Sequence, residues 1–83
     1  MRAATRAAIR IASLTPNLYT AKAKIEEELS EKVIGFSLNG RNKYLGCGSF
    51  FGLMDELAKR DPRLRVDSFG GKRAVRYVPR DEQ

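Results

Sequence analysis

Asp61-Pro62 separates two stretches whose apolar residues repeat with different periods. Upstream, Phe50, Phe51, Leu53, Met54 and Leu57 gather on one side of a 3.6-residue repeat, which predicts a helix of about three turns. Ser49 stands where an N-cap belongs, and Asp61 is pushed out of the helical region by the proline that follows it. Downstream, Leu64, Val66 and Phe69 lead into Gly70-Gly71, and Val75, Tyr77 and Val78 lead out. A glycine pair between two such runs is a hairpin signal, because both residues can take positive φ. A two-residue turn sets Phe69 against Lys72, Val66 against Val75 and Leu64 against Tyr77, giving the ribbon an apolar face. It also sets Arg65 against Arg76, a like-charge pair that costs about 0.2 to 1 kcal/mol on its own. With Lys72 and Arg73 at the turn, this ribbon is a candidate for meeting an anion; the plainer alternative is that both guanidinium groups splay into water.

Lys and Arg number 16 against 10 Asp and Glu, a net charge of +6 in 83 residues. That length makes one domain. Its charge favours polyanionic partners: nucleic acid, an anionic membrane or an acidic protein. Histidine is absent and Cys47 is the only cysteine. Within one chain this excludes an internal disulfide, the usual zinc sites and the Ser-His and Cys-His nucleophile pairs. No cofactor or metal is expected, and no apolar run approaches the roughly 20 residues that span a bilayer.

At the N-terminal end, Arg2, Arg6 and Arg10 recur every fourth residue in an alanine-rich, acid-free stretch, so a helix over residues 1–14 aligns them on one face, with Ala4, Ala8, Ile11 and Leu14 opposite. A mitochondrial transit peptide has the same pattern, against which the short length and single serine count. Thr15-Pro16 reads as a helix start, and a second helix is expected from there to about Lys32. Its stripe is Leu18, Ala21, Ile25, Leu29 and Val33. Lys22 with Glu26, Lys24 with Glu28 and Glu28 with Lys32 form four-residue charge pairs on the solvated side. The glutamates here read as a solvated face, not as acid-base catalysts.

Residues 33–48 leave alternatives open. Val33, Ile34, Phe36 and Leu38 run into Asn39-Gly40, a hairpin dipeptide, but the return through Asn42 to Leu45 is poorly patterned. One strand with a tight loop and a strand with a distorted helical turn both fit. Gly46-Cys47-Gly48-Ser49 resembles a phosphate-binding loop only in its glycines, since it lacks the lysine and spacing of a P-loop. The tail from Arg80 to Gln83 is expected to fray.

A helical pair, a third helix and a basic hairpin together resemble a winged helix-turn-helix domain, with Ser49 to Arg60 as the third helix and Arg63 to Pro79 as the wing. The resemblance implies an α+β fold of three helices with a C-terminal wing, and binding to double-stranded DNA, usually as a symmetric dimer. Such domains place a short helix before the third one, where this chain carries turn signals around Asn39-Gly40. Asp55 and Glu56 on the third helix repel phosphates, so contacts are expected from Arg65, Lys72, Arg73 and Arg76 on the wing and from Arg2, Arg6 and Arg10. Base contacts fall to Ser49, Lys59 and Arg60. The expected function is sequence-preferring duplex binding for transcriptional control, by a cytoplasmic or nucleoid-associated protein. Two other classes fit the composition: a small inhibitor or adaptor, as viruses and mobile elements encode, that occupies a surface of a larger protein, and an RNA-binding α+β domain stacking bases on Phe36, Tyr44, Phe69 and Tyr77. An enzyme is not expected. Asp61, Asp67 and Lys72 sketch a nuclease-like set, but Asp61 is accounted for as a helix end.

The expected core comprises Leu18, Ile25, Leu29, Ile34, Phe36, Phe50, Leu53, Met54, Leu57, Leu64, Val66, Val75 and Tyr77.

Overall fold

The computed structural model describes residues 1–82. Helix α1 spans Arg2–Ala12, strand β1 Tyr19–Thr20, helix α2 Lys22–Lys32, helix α3 Phe50–Arg60, strand β2 Leu64–Phe69 and strand β3 Lys72–Tyr77. A 3₁₀ turn at Lys43–Gly46 precedes α3, and another at Arg80–Glu82 follows β3. The three strands form one antiparallel sheet in the order β1-β3-β2. Helices α1 and α3 pack on this sheet and α2 packs on α1; with the β2-β3 hairpin at the C-terminal end they give an α+β, winged-helix-like domain.

The stretches on either side of Asp61-Pro62 form the helix and the hairpin that their sequences imply. Ser49 Oγ accepts from the Gly52 backbone N–H at 3.0 Å, and Asp61 leaves the helix with φ −143°. Gly52 is required by close approach: a Cβ there would lie 2.8 Å from the Cys47 carbonyl oxygen and 2.9 Å from Ser49 Oγ. Gly70 and Gly71 have φ of +55° and +78°, both positive as a type I′ turn demands. Register across the hairpin pairs Leu64 with Tyr77, Val66 with Val75, Phe69 with Lys72, and Arg65 with Arg76. Phe69, however, does not extend the apolar face. Side chains alternate along a strand, so it projects with Arg65 and Asp67, opposite to Leu64 and Val66.

The core lies between the helices and the inner face of the sheet. Ile25, Leu29, Leu53, Met54, Leu57 and Leu64 are fully buried there. Val66, Tyr77 and Phe36 pack half-buried at its margin. Helix α1 contributes Ala4, Ala7, Ala8 and Ala12, all buried, and these small residues let the backbones approach closely.

Four expectations are corrected. The second helix begins at Lys22, not after Pro16, because the chain from Thr15 onward is captured by the sheet edge. Asn17 takes a left-handed φ of 67° and donates its backbone N–H to the Tyr77 carbonyl at 2.8 Å, so Tyr19–Thr20 become a strand paired with β3. Leu18 is consequently exposed, as is Leu14 beyond the end of α1. Residues 33–48 contain no strand, and Ile34 is fully exposed. In place of a hairpin, Tyr44 and Leu45 take left-handed conformations, the Tyr44 N–H donates to the Ser37 carbonyl at 2.7 Å, and the Tyr44 ring packs edge-on between Phe36 and Phe50. The expected charge pairs within α2 do not close among the described residues. Glu26 instead accepts from Tyr44 Oη at 2.7 Å, and Glu28 faces Arg10 of α1 at 3.5 Å. Finally, the tail through Glu82 is held, since Asn17 Nδ2 donates to Glu82 Oε2 at 2.7 Å; Gln83 lies outside the described residues.

Candidate nucleic-acid interface

The cations named from the sequence fall into two separate regions. On the wing, most are already engaged. Arg76 Nε donates to Asp67 Oδ2 at 2.5 Å, which relieves its opposition to Arg65. Arg65 Nε donates to the Pro62 carbonyl at 3.1 Å. Arg73 crosses to α3, pairs with Asp55, and places its guanidinium 5.0 Å from the centre of the Phe51 ring. This clamp ties the hairpin to α3 and engages both an expected phosphate contact and Asp55, one of the two carboxylates that made α3 unattractive to DNA. Lys72, at the tip, has no ion pair among the described residues.

On α3, Ser49 is committed to its capping bond, and Lys59 sits 3.8 Å from Glu56. Arg60 belongs elsewhere: it lines a groove of about 480 Å³ with Arg2, Thr5, Arg6, Ile9, Arg10, Asp61 and Arg63. Helix periodicity sets Arg2, Arg6 and Arg10 along one wall, with successive Cα atoms about 6 Å apart along the axis. The Asp-Pro stop sets the other wall, because ending α3 at Arg60 turns Arg63 back beside it.

Five guanidinium groups therefore share one groove with a single carboxylate. That carboxylate is taken. Asp61 accepts from the Arg63 backbone N–H at 3.1 Å, Arg63 Nε at 3.0 Å and Arg63 Nη2 at 2.7 Å. These bonds from Arg63 hold its carboxyl below the usual carboxylate range, against the opposing effect of burial. Arg2, Arg6 and Arg60 have no ion pair among the described residues, whereas Arg10 lies 3.5 Å from the largely buried carboxylate of Glu28. Lys32 joins Arg6 and Arg10 along a second, smaller groove of about 330 Å³.

Sequence reasoning thus found Arg2, Arg6, Arg10 and Arg60 but assigned them to different roles. It missed that Arg63 and Lys32 join them. The available signal was the Arg60-x-x-Arg63 spacing around Asp-Pro, which returns a basic side chain toward the helix end. The groove does not include Arg65, Lys72, Arg73 or Arg76. Of the nuclease-like set, Asp61 is bonded to Arg63, and Asp67 to Arg76 and Tyr19. Among the described residues no group of three potential metal ligands occurs, and no helix is long and apolar enough to cross a membrane. No family model, curated protein or solved structure matches this chain.

Proposed function

We propose that this protein binds duplex DNA through the phosphate backbone, laying α1 and the C-terminal end of α3 against one strand. The observation that carries the reading is the convergence of Arg2, Arg6, Arg10, Arg60 and Arg63 on a groove whose one carboxylate is neutralised from within. Three of these, Arg2, Arg6 and Arg60, have no ion pair among the described residues, and like charges so gathered repel one another. A row of phosphates relieves that repulsion and accepts the forked hydrogen bonds that guanidinium groups offer. Backbone contacts fix a protein on the duplex without reading sequence. Sequence preference in such a protein enters through the shape and deformability of the duplex, and transcriptional control through occupancy of the site.

The winged-helix-like layout supports the class, but the mode of docking differs from the one expected of it. Wing and α3 are clamped together by Arg73 and Asp55, so the α1 groove is the principal contact and Lys72 an outlying one. Amide chemical-shift changes on adding a short duplex locate the contact. They are expected in residues 2–10 and 60–63, with small changes at 70–73. Changes confined to the hairpin and the exposed side of α3 would overturn this placement. An acidic protein partner uses the same groove if no duplex is bound at low salt.

A further inference from the structure

We infer that the open face of the sheet is a second nucleic-acid site, one that stacks an unpaired base of a single DNA strand on Tyr19 and Phe69. The site is separate from the arginine groove and does not depend on it. Helices cover the face of the sheet that carries Leu64 and Val75, both buried. The opposite face carries Arg65, Asp67 and Phe69 from β2, and Lys72 and Arg76 from β3. Tyr19 joins them, because β1 registers it against Arg76.

On that face Tyr19 is 51% exposed and Phe69 48%. Their ring centroids are 5.5 Å apart with planes inclined by 35°. Tyr19 is held in place: its hydroxyl donates to Asp67 Oδ2 at 3.1 Å, and the same oxygen accepts from Arg76 Nε at 2.5 Å. An aromatic pair fixed from behind and half open in front is a preorganised stacking surface. Phe69 was among the stacking candidates read from the sequence, but its partner Tyr19 was not, because Tyr19 was expected inside a helix and Phe69 on the inner face of the ribbon. Of the other stacking candidates, Phe36 and Tyr44 pack against each other and toward Phe50, and Tyr77 lies half-buried against the core.

Charge selects the occupant. Phe69 is registered against Lys72, and Arg65 lies opposite Arg76, so the aromatic pair has a cationic rim. Asp67 is consumed by Arg76 and Tyr19, leaving Lys72 and the outer nitrogens of Arg65, whose Nε is held by the Pro62 carbonyl, to meet flanking phosphates. A second copy of the chain, with a net charge of +6, would bring a like-charged rim against this one. A nucleic-acid strand offers both the π face and the negative charge, but in a duplex the π faces are already covered by neighbouring bases. An unpaired base is the form that can use the platform.

The test compares a labelled oligothymidylate with an abasic deoxyribose-phosphate strand of equal length, by fluorescence anisotropy at low salt. Wild-type protein is expected to bind the base-bearing strand roughly tenfold more tightly, the usual scale for a base stacked on an aromatic side chain. Phe69→Ala should abolish the difference while circular dichroism stays native, and Phe69→Tyr should restore it. Equal affinity for the two strands, no binding of either, or a preference that survives in a folded Phe69→Ala variant would overturn the inference. A ribose strand bound tenfold more tightly than the deoxyribose one would overturn the assignment to DNA. The Arg2→Ala/Arg6→Ala/Arg60→Ala variant should keep the preference for the base-bearing strand. If wild-type protein shows that preference but binds no duplex, the groove reading alone falls.

Discussion

Asp61 and Asp67 set how this protein responds to acid. Hydrogen bonds from Arg63 lower the Asp61 carboxyl, and hydrogen bonds from Arg76 are the main cause for Asp67. A carboxylate whose folded pKa lies below its unfolded value of about 3.9 adds stability that is complete above that value and is lost as pH falls through the folded one. Thermal melts should therefore be flat from neutrality to about pH 5 and fall steeply below about pH 4. Asp61→Asn should be less stable than wild type at pH 7 and show a shallower acid limb. An unchanged acid limb would mean that Asp61 is not held by Arg63. Elsewhere the packing is unforgiving. Leu57 is fully buried, and Leu57→Ala should cost about 2 to 5 kcal/mol in chemical denaturation. Gly52→Ala should also destabilise, because its Cβ would meet the Cys47 carbonyl, a backbone atom in a turn with little freedom to retreat. A melting temperature equal to wild type would contradict that contact.

Elements whose signals are local were legible in the sequence, and those governed by distant partners were not. Helix α3 and the hairpin carry their own caps, stop and turn, so their bounds and register follow from neighbours a few residues away. The start of α2 depends on Asn17 reaching the Tyr77 carbonyl, 60 residues later, and no periodicity reports that. In the same way Asn39-Gly40 is a sound hairpin signal overruled by Tyr44, whose ring and hydroxyl are claimed by Phe36, Phe50 and Glu26. The arginine row on α1 was legible because it needs only the helical repeat. Its union with Arg60 and Arg63 was not, since it depends on how α1 lies against the end of α3. The alanine face of α1 was half seen: Ala4 and Ala8 were expected, while Ala7 and Ala12 replace Ile11 and Leu14 as its fully buried members. Ala8 has no exposed surface, so Ala8→Leu should cost about 1 to 3 kcal/mol by overpacking. A stability within error of wild type would mean that α1 is not closely seated.

At the scale of the whole molecule, five of the 16 Lys and Arg side chains line one groove, and the account rests on that groove meeting phosphates. Binding to the folded chain raises its stability with the logarithm of free ligand over the dissociation constant, so a duplex at 100 times that constant should add about 2.7 kcal/mol. The most direct measurement is the salt dependence of duplex affinity for wild-type protein and for Arg2→Ala/Arg6→Ala/Arg60→Ala. Each phosphate contact contributes about 0.9 to the slope of log affinity against log salt. The wild-type slope should therefore be about −3 to −4, and the variant should lose about 2.7 of it while remaining folded. A variant that binds duplex with the wild-type slope, or a wild-type protein that binds no duplex at low salt, would contradict the account.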